Sequence, residues 1–135
     1  MKYVFEELNR NVKDRDEILF GDYDPDKYSG GVRHFSNLNV DKLTELIDND
    51  FIEIDERQNL SPSTAEFYEF MQNHPAYMAH GYATSNTRSD YRITIEGLHR
   101  ESKEEVSTGE YNDFRELCQL YEADEVVGAE YCWWD

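Results

Sequence analysis

Bases are scarce in this sequence. Thirteen Lys and Arg stand against thirty Asp and Glu, for a formal net charge of −17. Phosphate binding needs Lys and Arg to displace counterions, so no direct nucleic-acid binding is predicted. The same charge repels anionic lipid headgroups. Long apolar runs are also missing, and nothing approaches the roughly 20 apolar residues of a membrane span. The opening MKYVFEELNRNV carries acids early and does not read as a signal peptide. Cysteine is limited to Cys118 and Cys132, outside any CxxC. That usage suits reduced thiols in a cytoplasmic protein, although a disulfide between the two is compatible with the sequence.

Catalytic signatures are equally thin. There is no HExxH, no GxSxG and no glycine-rich phosphate loop with its lysine. No catalytic residue, cofactor or metal is therefore assigned. The stretch GDYDPDKYSGG at 21–31 invites a calcium reading, because Asp22, Asp24 and Asp26 alternate before a serine and two glycines. A calcium loop of the EF-hand type needs glycine at position six and a bidentate glutamate at position twelve. Counted from Asp22, those positions hold Lys27 and Arg33, and Pro25 sits at position four. The stretch reads as a solvated turn.

What the chain does have is aromatic bulk. Of 135 residues, 39% are apolar and 14% aromatic, with ten tyrosines and seven phenylalanines. Rings that bury roughly 150–250 Å² each can build a core where aliphatics are few. A disordered acidic chain would lack them. The length suits one domain over 1–135.

Periodicity predicts an α+β fold, with amphipathic helices packed on one face of a small antiparallel sheet. Helices are predicted over 2–12, 40–49, from Ser61-Pro62 to His74, and over 110–122 with Ser107 and Glu110 at capping-box spacing. Strands are predicted at 17–21, 51–55, 77–84, 91–98 and along the C-terminal EVVGAEYCWWD, with 21–39 a loop. In the second hairpin strand Tyr91, Ile93 and Ile95 face one way and Arg92, Thr94 and Glu96 the other, as in a sheet with one wet face.

The charge favours a basic protein partner, because opposite fields speed encounter. The chain is read as a non-catalytic binding module of the inhibitor or immunity type. Its candidate contacts are Trp133 and Trp134, since Trp is enriched at binding hot spots. A rival reading is a small-molecule enzyme or binder at the 77–98 hairpin, using His80 with Tyr82, Arg88 and Arg92. A third alternative is a winged-helix-like domain around 40–54 and the hairpin, or a nucleic-acid mimic. Within 41–56 the acids Asp41, Glu45, Asp48, Asp50, Glu53, Asp55 and Glu56 meet only Lys42, which argues against reading DNA and favours a solvated face or a mimic.

Overall fold

A computed structural model describes residues 8–101 and 104–135. The element order is α1 (Val12–Phe20), β1 (Val32–Leu38), α2 (Val40–Asp48), α3 (Thr64–Asn73), β2 (Tyr77–Thr84), β3 (Ile93–Arg100), α4 (Thr108–Leu120), β4 (Glu125–Val127) and β5 (Tyr131–Trp133). The strands form one antiparallel sheet in the order β1-β2-β3-β5-β4. This is an α+β fold. Leu19, Leu43, Leu46, Phe67, Met71 and Phe114 bring the four helices onto the sheet face of Phe35, Leu38, Tyr77, Ala79 and Leu98.

The helices begin where short polar side chains can bind free N–H groups. Asn39 accepts from Lys42 N at 2.8 Å, and Ser107 accepts from Glu110 N at 3.1 Å. The predicted start of α3 moves by two residues. Ser63, not Ser61, is the cap, and it forms a reciprocal box with Glu66 (2.9 and 3.3 Å). Ser61 is buried and instead accepts from Gln58 N at 2.9 Å within the preceding turn. At its other end α3 stops at His74, as proline at 75 requires.

Aromatic rings join the layers. Tyr77 stacks on Phe114 with centroids 5.0 Å apart and meets Phe70 edge-on at 5.1 Å. Its buried hydroxyl donates to Ala129 O at 2.6 Å, so the ring enters the core without an unpaired polar group.

Several sequence expectations change. Of the helix predicted over 2–12, residues 2–7 lie outside the described residues. Residues 8–11 are irregular, and Asn11 caps α1 by accepting from Asp14 N at 3.2 Å. The segment 17–21, predicted as a strand, is the second half of α1 and its C-cap. Gly21 closes that helix at φ 82°, a left-handed angle that suits glycine. The buried stripe of α1 is Val12, Arg15, Asp16 and Leu19, and its two charged members hide the apolar period. Arg15 Nε donates to Asp16 at 2.9 Å, Arg15 Nη2 donates to Tyr28 at 2.8 Å, and Tyr28 OH donates to Asp16. The Tyr91 ring lies under the Arg15 guanidinium at 4.7 Å. These hydrogen bonds replace part of the water that the buried ion pair gives up, while Arg15 Nη1 is buried without a hydrogen-bond partner among the described residues.

The predicted loop 21–39 contains β1. Only Phe35 and Leu38 of that strand are buried, and the register slips between them, which destroys the alternation. The predicted strand 51–55 is irregular. Phe51 and Ile52 are buried side by side, and the carbonyls of Ile54 and Glu56 accept from the N–H groups of Ala65 and Thr64 (both 2.9 Å). This segment supports the start of α3 instead of joining the sheet. The second hairpin strand begins at Ile93 and runs on to Arg100, and the C-terminal strand is a hairpin, β4 and β5, turning at Gly128.

Candidate functional site

The sheet face away from the core carries His80 and Tyr82 from β2, His99 from β3 and Tyr131 and Trp133 from β5. Strand alternation puts them there, and all five are half-buried. His80 and Tyr131 stack face to face, with centroids 5.2 Å apart and planes 1° from parallel. They reach each other across the middle strand because Gly97 has no side chain. A Cβ there would lie 2.5 Å from His80 Nε2 and 2.0 Å from Cys132 O. His80 Nε2 is buried without a hydrogen-bond partner among the described residues. Burial, with a smaller push from His99, lowers the His80 pKa to about 4. The imidazole is neutral at pH 7 and behaves as a flat apolar ring.

The hairpin arginines are engaged. Arg88 grips Asp90 through Nε and Nη2 at 2.8 and 2.6 Å. Arg92 donates to the same carboxylate at 2.8 Å, to Tyr82 OH at 2.7 Å and to Thr94 Oγ1 at 3.0 Å. Arg88 first, then Arg92, hold the Asp90 carboxyl far below its usual range. These local pairs, with the bond across to Tyr82 in β2, use donors that a bound carboxylate or phosphate would need. His80 is stacked on Tyr131, while Tyr82 accepts from Arg92 and Arg88 binds Asp90, so these side chains are already engaged with their neighbours.

The two tryptophans part company. Trp134 is 1% exposed, meets Phe67 edge-on at 5.6 Å and donates Nε1 to Tyr121 O at 2.8 Å. It is a core residue. Trp133 is half-buried on the sheet face away from the core. Cys118 and Cys132 are free, buried thiols. Burial pushes Cys132 well above the ordinary thiol range. The aspartate run ends as a turn. Asp22 binds Lys27 at 2.9 Å and Arg33 at 2.8 Å, the same two cations that occupy the decisive calcium-loop positions.

Sequence reasoning missed a groove of about 270 Å³ between α3 and α4. Its lining includes Glu66, Glu69 and Phe70 from α3 and Asp113, Glu116, Leu117, Leu120 and Tyr121 near α4. Among the described lining residues none is Lys or Arg. Leu120 is 68% exposed on the groove wall. His74 closes one end, with Nε2 3.0 Å from Asp113 and its ring 4.7 Å from Phe70.

No family model, curated protein or solved structure matches this chain.

The signal for the groove was present in the sequence. Phe114, Leu117, Cys118 and Tyr121 make the inward stripe of α4, and Leu120 falls outside it. An extra leucine beside an otherwise complete stripe widens the apolar face beyond what the core needs.

Proposed function

We propose that this chain is a non-catalytic binding module that engages a basic protein through its helical layer. Its two free thiols suit a cytoplasmic setting. An inhibitor or immunity-type partner of a nucleic-acid-processing protein is the concrete form. Such a partner has a basic surface shaped for phosphate, and a run of solvent-facing carboxylates offers it the same sign of charge.

One observation carries this reading: the α3–α4 groove, an apolar floor rimmed by Glu66, Glu69, Asp113 and Glu116, with no Lys or Arg among the described residues of its lining. Interface cores are apolar and their rims polar, and complementary charge raises association rates. The hairpin reading, a His/Arg pocket for a small molecule, has less support because Asp90 occupies both arginines.

The test is capture of partners from a lysate of the cells that make the protein, across a salt series. The bound protein should be basic, should be released as salt rises, and should be lost from the E66Q/E69Q/D113N/E116Q variant. If no basic protein is retained even at low salt, the reading falls.

A further inference from the structure

The groove has a pattern beyond its charge. On α3 the lining residues Glu66, Glu69, Phe70 and Asn73 recur at i, i+3, i+4 and i+7. On α4 the residues Asp113, Glu116, Leu117 and Leu120 repeat the same spacing. Each helix therefore offers one stripe with its acids at the N-terminal end, followed on α3 by Phe70 and Asn73 and on α4 by Leu117 and Leu120.

The stripes run in opposite senses. At one end His74, which caps the end of α3, meets Asp113 near the start of α4. At the other end Trp134 touches Phe67 by its ring and the Tyr121 carbonyl by its indole N–H. So Glu66 and Glu69 lie across from Leu120 and Tyr121, while Asp113 and Glu116 lie across from Phe70 and His74. The acids sit diagonally at the two ends, and Phe70 and Leu117 lie between them.

Seven residues of helix rise about 10 Å, which is two turns. A ligand matching this surface needs a two-turn apolar strip with cations on both flanks, set at opposite ends. A basic amphipathic helix has that form, because residues at i, i+3, i+4 and i+7 share a face and its neighbours flank it.

We propose that the α3–α4 groove is the docking site for one basic amphipathic helix of the partner protein. This rests on the proposed function above and names its mode of recognition. Leu120 is the apolar anchor that waits for the incoming strip. Glu69 and Glu116 are exposed and meet the incoming cations. Glu66 caps α3 with one carboxylate oxygen and Asp113 holds His74, so both are already fixed in place.

Two peptides of about 18 residues test this, long enough to fold as helices on contact. Both are built from Leu, Lys and Ala in identical amounts. One places Leu at i, i+3, i+4 and i+7, and the other scrambles the order. Fluorescence anisotropy on the full chain should show the amphipathic peptide binding at least about tenfold more tightly than the scramble. Leu120→Ser should weaken it about tenfold. Because Leu120 is mostly exposed, that variant keeps the fold, which circular dichroism checks. Glu69→Gln with Glu116→Gln should flatten the salt dependence.

Equal affinity for the two peptides, or an unchanged affinity in Leu120→Ser, overturns the groove while leaving a basic partner standing. A tight complex with no response to Glu69→Gln and Glu116→Gln also overturns it. Failure of both peptides at low salt, together with an empty lysate capture, removes both proposals.

Discussion

At the scale of single residues, His80 gives the clearest pH dependence. An unfolded histidine titrates near 6.5, whereas the folded His80 titrates at about 4. Above pH 6.5 both states hold it neutral, and it leaves stability unchanged. As pH falls from 6.5 toward 4, the unfolded chain takes the proton first and the fold loses stability. One pKa unit corresponds to about 1.4 kcal/mol, so the loss reaches about 2 kcal/mol at pH 5 and about 3 kcal/mol near pH 4. His80→Phe keeps a ring against Tyr131 and removes both the proton and the unpartnered nitrogen. Urea denaturation at pH 7 and pH 5 should show a smaller drop for His80→Phe than for the parent. Carboxylates titrate in the same window in both proteins, so the difference isolates His80. An identical drop would show that the imidazole is not held neutral by the fold. Residues also set the limit of sequence reading here. The hydrogen bonds that link Arg15, Asp16 and Tyr28 join positions up to thirteen apart, and no local pattern reveals that the two charges are inside.

At the scale of elements, caps and turns decide the boundaries. Ser63→Ala removes the hydroxyl that accepts from Glu66 N and half of the reciprocal box. The expected loss is about 1 kcal/mol, read as a lower urea midpoint with an unchanged slope. Elements with a clean period were legible: α2, α3, α4 and β2 lie where spacing puts them, because their buried faces are apolar. The missed elements share one cause. In α1 the inward face includes Arg15 and Asp16, and in β1 a register slip separates Phe35 from Leu38. Segment 51–55 alternates like a strand, yet its backbone bonds to the start of α3. In each case tertiary pairing outweighs the local pattern. The candidate site was legible only in its ingredients. The acids and the extra Leu120 are visible in order, but their diagonal arrangement needs α3 and α4 to lie side by side.

At the scale of the whole molecule, charge dominates. With −17 on 135 residues, self-repulsion opposes the compact state. Moving from 0.01 M to 0.15 M salt shortens the screening length from about 30 Å to about 8 Å. Melting temperature should therefore rise across that range by several degrees, measured by scanning calorimetry. A flat or falling profile would mean that favourable ion pairs such as Arg100–Glu110 outweigh the repulsion. The helical layer carries Asp41, Glu45, Asp48, Glu66, Glu69, Asp113 and Glu116 on α2, α3 and α4. On the opposite face of the sheet Arg92 is held by Asp90, and His80 is neutral at pH 7. A cationic surface that approaches the helical side meets carboxylates from three helices at once, so attraction begins before any side chain has made contact.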